Sequence, residues 1–193
     1  LAPHIVLEWL GADYEAVRIT KGDPDYLAIN PLGVVPALDY DGRIHTQADA
    51  ILHLLSHLHP EAGLSGDGTP AGHYDVNVWM AFLTGDLHPA FFPFFGPMRY
   101  STDHSEAALA AVKAASAIRV DHFYSHLETH LDGREFIAGG KRSIADAYAV
   151  PMLRWGRLLD KPLSDYPSLT AYLERMEADE AVHRAMKEQG LVS

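Results

Sequence analysis

The chain has no cysteine among its 193 residues. That excludes a disulfide framework, a Cys-x-x-Cys redox pair and a thiolate zinc site within these residues. Basic residues are few: 15 Lys and Arg stand against 26 Asp and Glu, a formal net charge of −11. Such a field repels phosphates and argues against a nucleic-acid or anionic-membrane partner. Long apolar runs are missing too. The longest, A-F-F-P-F-F-G-P-M at 90–98, is too short and too broken by proline to span a bilayer. No signal-peptide pattern is found, and a soluble, cytoplasmic protein is expected. With 48% hydrophobic and 21% charged residues, the chain can bury a sizeable core.

The pattern along the chain divides in two. Up to residue 58 the elements are short and mixed. Ala2 to Leu10 reads as a helix stopped by Gly11, and Tyr14 to Ile19 as a weakly alternating strand. Asp25 to Ile29 is a helical turn ended by Asn30-Pro31. Val34 to Leu38 and Arg43 to His45 flank the Asp41-Gly42 turn as a hairpin, and Thr46 to Leu58 is an amphipathic helix. Residues 59–71, with three glycines and two prolines, read as a linker unable to hold a regular element. Beyond it only helical periodicity is found: Asp75 to Leu87, Glu106 to Leu131, Ser143 to Leu159, Ser168 to Ala178 and Glu180 to Lys187. Ser143-Ile144-Ala145-Asp146 fits a capping box, which accounts for Asp146 structurally; a catalytic acid is the competing reading.

Pro36 raises the sharpest question, because it sits inside an apolar, β-branched run and cannot donate to a sheet ladder. It marks either an edge strand or a place where a ligand pairs with the backbone. His122, His126 and His130, four residues apart on one helix face, have the geometry of metal ligands. Their acidic neighbours Asp121, Glu128 and Asp132 favour a solvated polar face instead. His53 and His57 read the same way, and no metal is expected.

Several stretches, in order and at fitting distances, resemble the glutathione S-transferase family, most closely its bacterial beta-type branch. They are L-A-P-H-I-V-L-E, D-Y-L-A-I-N-P-L-G-V-V-P-A-L and A-I-L-H-L-L-S-H-L-H-P-E-A, then D-L-H-P-A-F at 86–91 and S-I-A-D-A-Y at 143–148. The resemblance implies a thioredoxin-like α+β domain over 1–58 and an all-α domain over 72–193, joined by 59–71. It places the first strand, and a thiol-activating Ser, Cys or Tyr, ahead of Leu1, on roughly ten further residues.

The same resemblance gives roles. Pro36 follows a cis peptide bond that leaves the N–H and C=O of Val35 for the cysteinyl part of glutathione, bound as an extra strand. Gln47 and Ala48 take the positions of the Glu-Ser or Glu-Gly pair that receives the glutamyl arm, without its charge. That departure lowers affinity by about 1–2 kcal/mol. His88 reaches over the cleft toward the sulfur and stabilises the thiolate; its competing reading is a surface residue before a helix-kinking proline. Ala81 stands where relatives often carry a polar Asn. Phe91, Phe92 and Tyr100 line the pocket for a small hydrophobic electrophile, in a segment too proline-rich for one continuous helix.

The implied activity is conjugation of glutathione, as co-substrate, to that electrophile by a homodimer paired through the helices around 47–58 and 75–100. A glutathione-dependent isomerase, reductase or dehalogenase, or a non-catalytic binding or regulatory protein on the same scaffold, are the alternatives.

Overall fold

The computed structural model describes residues 1–20 and 22–192. Helix α1 (Ala2–Leu10) carries Pro3 in its first turn, where a missing N–H costs nothing. It ends on Gly11 at φ 59°, whose N–H closes onto the Glu8 carbonyl. Its buried side chains include Ile5 and Val6. The segment 12–20 that follows is not a strand. Its side chains are committed elsewhere: the Tyr14 hydroxyl bonds to Glu8 and to His4 (2.6 Å), and Arg18 Nη2 donates to the Gln189 carbonyl at 2.7 Å. Val17, at 72% exposed, has no apolar face to join.

Helix α2 (Pro24–Ile29) is capped by the Asp23 carboxylate, which accepts from the Asp25 N–H. Strands β1 (Ala37–Tyr40) and β2 (Arg43–Thr46) pair antiparallel with Ala37 opposite Thr46. Asp41 and Gly42 both lie at positive φ (53° and 71°), the type I′ turn that suits a two-residue hairpin. The ladder thus starts one residue after Pro36 rather than at Val34, because proline brings no N–H to it. Helix α3 (Ala48–Leu58) begins two residues later than its periodicity suggests and buries Ile51, Leu52 and Leu55.

The stretch 59–71 is more regular than its composition predicts. Pro60–Ala62 forms a 3-10 turn closed by Gly63 at φ 63°, and helix α4 (Pro70–Phe82) already starts at Pro70, capped by the Thr69 side chain. Leu83–Leu87 is a π turn, in which the His88 N–H reaches the Leu83 carbonyl five residues back. Helix α5 (His88–Phe95) is continuous despite Pro93. Its other proline, Pro89, follows directly on the π turn, so its missing N–H falls where the chain passes from the five-residue bond back to the α ladder.

Helix α6 (Glu106–Leu131), about 39 Å long, is capped by Ser105 and buries Ser116, Val120, Tyr124, Leu127 and Leu131 along one stripe. Helix α7 (Ile144–Trp155) is buried on nearly every side and forms the axis of the molecule. Helix α8 (Pro167–Ala178) and α9 (Glu180–Glu188) close the bundle. Helix α1 packs against α3, α7 and α9, so one hydrophobic core runs from the small α/β unit into the helical one. No helix among the described residues is long and apolar enough to cross a membrane.

On the histidine face of α6, His122 and His126 are exposed, as their charged neighbours suggest, and His130 is half-buried. The His130 ring lies 3.9 Å from that of Trp79 and its Nε2 meets the Ile137 carbonyl at 2.8 Å, while His126 stacks on the same indole at 5.7 Å.

Candidate functional site

The turn before the hairpin is built around Asn30, which is 3% exposed. Its Nδ2 donates to the Val34 carbonyl at 2.7 Å, and the Tyr26 hydroxyl donates to the same oxygen at 2.8 Å. Its Oδ1 accepts from Leu32 N–H, and its carbonyl from Gly33 N–H, with Gly33 at φ 63°. The chain is thereby clamped up to Val34 and released at Val35, whose bond to Pro36 is cis. Val35 is 65% exposed, and neither its N–H nor its C=O meets a backbone partner among the described residues.

Beside this edge stands the start of α3. Gln47 is exposed, lies at φ 72° and gives α3 no side-chain cap. A non-glycine residue there is held by its surroundings against its own preference. The N–H groups of Ala48, Asp49 and Ala50 have no partner within the helix, and with the helix dipole they favour an anion.

The third component comes from the helical unit. His88 Nδ1 lies 2.8 Å from the Tyr148 hydroxyl of α7. Its ring packs edge-on to Phe92 at 4.8 Å and tilted against Trp155 at 5.2 Å. Burial pushes the His88 imidazole below its ordinary range. Tyr148 is pushed up to about 12, first by burial and then by the negative charge of Asp49. Asp49 belongs to the first turn of α3. The N-terminus of α3, Tyr148 of α7 and His88 of α5 therefore meet where the two units join.

The structure separates the three aromatic residues singled out by sequence. Phe92 is exposed next to His88, whereas Phe91 is fully buried against Tyr124 and Trp155. Phe91 is a core residue and not a pocket wall, because consecutive helical positions point about 100° apart. Tyr100 is exposed, just past the 3-10 turn Pro97–Arg99, and is in ring contact with none of these aromatics among the described residues. The aromatic surface beside His88 is instead extended by Trp155 and by Phe95, whose rings lie 5.2 Å apart. Sequence reasoning missed Tyr148 and Trp155. Their spacing of seven, two turns of one helix, was the available signal.

Elsewhere, His4, Glu8 and Glu188 offer three ligand atoms within 4.8 Å of one another. Those atoms already have partners: the Tyr14 hydroxyl sits among them and Arg184 Nε donates to Glu8 at 2.6 Å. The hollows around Trp9 and Arg142 are likewise lined by paired charge, with Arg142 on Asp179 at 3.2 Å.

Comparison with known proteins bears on this arrangement. Residues 3–63 match the family description "Glutathione S-transferase, N-terminal domain" and residues 86–180 "Glutathione S-transferase, C-terminal domain". A curated relative, glutathione S-transferase GST-4.5 of Xanthomonas campestris, is 38% identical over 99% of this chain and 94% of its own length. The solved beta-class glutathione S-transferase of Sphingomonas chungbukensis superposes with a TM-score of 0.86 at 35% identity, covering 99% of this chain and 94% of that one. A sphingomonad glutathione S-transferase complexed with glutathione gives 0.84 at 35% identity and the same coverage.

Proposed function

The chain belongs to the glutathione S-transferase family, with beta-class relatives, and from that premise we propose that its cleft joins the glutathione thiol to small hydrophobic electrophiles. The observation that carries the placement is the exposed, unpartnered backbone of Val35 beside the open N–H groups of α3. Glutathione lays its cysteinyl unit along Val35 and Pro36 as an added strand. Its glutamyl carboxylate meets the backbone at Gln47 and Ala48. His88 Nε2 donates to the sulfur, so the thiol releases its proton to solvent more readily. The sulfur lone pair then bonds the electrophilic carbon, and the leaving group departs with its electron pair. Phe92, Phe95 and Trp155 give the electrophile a wall, with Tyr100 at its rim.

The glutathione-binding unit spans 1–58 and is joined through 59–71 to a helical unit over 72–193. The protein works in the cytoplasm as a homodimer, a reading supported by the exposed Leu58, Tyr74 and Val78 on α3 and α4.

Calorimetric titration with glutathione tests the placement. Binding in the micromolar to low-millimolar range is expected, with turnover of an activated nitroaryl chloride. No heat from a protein with an intact circular-dichroism spectrum overturns it and favours a non-catalytic member of the family. Gln47→Glu restores a charge opposite the glutamyl ammonium. It is expected to tighten glutathione about tenfold, the size of a charge-assisted hydrogen bond, and an unchanged affinity would move the glutamyl arm elsewhere.

A further inference from the structure

We propose that Tyr148 is a positioning residue for His88: its hydroxyl donates to Nδ1, holds the imidazole in the Nε2–H tautomer and leaves that N–H for the cleft. The inference rests on His88 acting at the thiol, as described above. It starts from the 2.8 Å contact between a phenol that is 5% exposed and one ring nitrogen. That nitrogen is the hydroxyl's sole hydrogen-bond partner among the described residues. Were Nδ1 the donor, the phenolic proton would need a second acceptor, and none lies in reach on α3, α5 or α7. The phenol therefore donates, and a neutral imidazole accepting at Nδ1 carries its hydrogen on Nε2.

The other side of the ring fits. His88 Nε2 has no partner among the described residues, yet it is not one of the sealed, unsatisfied polar atoms. It is open to whatever occupies the space in front of it. Phe92 and Trp155 hold the ring plane, so the Tyr148 contact sets which nitrogen faces out. Burial of both groups acts in the same sense, keeping the phenol protonated and the imidazole neutral. Asp49, the charged group near the pair, reinforces the protonated phenol.

The tautomer decides the sign of the interaction with sulfur. An Nε2–H donates a hydrogen bond to a thiolate, whereas an Nε2 lone pair would repel it. Without the hydroxyl, both tautomers become available.

The test joins nitrogen NMR to kinetics. In protein labelled with 15N-histidine, His88 is assigned by its loss in His88→Gln. Wild type is expected to show a bare Nδ1 and a protonated Nε2, and Tyr148→Phe an average of the two tautomers. The same variant should lose about tenfold in kcat, within the range of one acid–base contact, with KM for glutathione within twofold. In a His88→Gln background it should cost nothing more. A protonated Nδ1 in wild type, an unchanged tautomer in Tyr148→Phe, or an equal loss with and without His88 would each overturn the proposal. Full turnover in His88→Gln would overturn the role given to His88, and with it the catalytic half of this one; the spectrum decides the tautomer separately.

Discussion

Replacing Asp146 by alanine is expected to destabilise the chain by on the order of 3–5 kcal/mol while leaving the chemistry at the cleft intact. The side chain is 0% exposed and accepts four hydrogen bonds. Ile137 N–H and the Tyr172 hydroxyl reach Oδ1 at 2.9 and 2.7 Å. Ser143 N–H and Oγ reach Oδ2 at 2.7 and 3.0 Å. Burial pushes the Asp146 carboxyl up, and the four donors pull it back. An exposed cap would cost only about 1 kcal/mol on removal. Here the loss strands donors from the loop at Ile137, from α8 and from the start of α7, all sealed from water. Urea unfolding of Asp146→Ala reads the cost, and kcat measured well below the melting range reads the chemistry. A loss under 1 kcal/mol would mean that water replaces the carboxylate. Asp146→Asn keeps the volume but turns an NH2 toward two of the donors, so most of the penalty is expected to remain.

The second large effect is on turnover. His88→Ala should lower kcat by about a hundredfold, the scale of a single positioned acid–base group, with little change in the midpoint of unfolding at pH 7. An unchanged kcat would remove His88 from the reaction. The pH dependence of stability offers an independent reading. Burial lowers the His88 pKa, so the folded state binds a proton less readily than the unfolded chain does. Stability is then fully present above the unfolded value of about 6.5 and is lost as the pH falls through that value toward the lower folded one. His53 and His130 are shifted the same way, each chiefly by burial, and steepen the loss. The wild-type midpoint should therefore fall more than that of His88→Ala between neutral and mildly acidic pH.

How much of this was legible beforehand depends on the range of the interaction involved. Helix α6 runs over the residues its periodicity predicts, because Ser105 and the apolar stripe are both local signals. The Asp41-Gly42 turn is equally local, but around it β1 moved from 34–38 to Ala37–Tyr40, past the proline and up to the turn, and β2 gained Thr46. The segment 14–19 failed as a strand because a ladder needs a partner that alternation alone does not supply. Of the residues proposed for the cleft, Val35, Gln47, Ala48 and His88 were legible only through their positions in stretches that resemble the family. Phe91 and Phe92, neighbours of identical type, could be sorted only by knowing which way α5 faces. Tyr148 stayed hidden behind its neighbour Asp146, and its contact with His88 spans 60 positions of chain. No short-range pattern encodes such a meeting.

The π turn at Leu83–Leu87 has a consequence for the whole cleft. A wide turn takes up one residue more than an α turn, and each residue of a helix advances about 100° around the axis. The heading of His88 relative to α4 is therefore an arithmetic property of the chain between them. Its hydroxyl partner and its aromatic neighbours fix the imidazole only after that count has aimed it. Dropping any one residue, even the exposed Gly85, would leave every side chain around the cleft chemically unchanged and swing the imidazole out of its bearing.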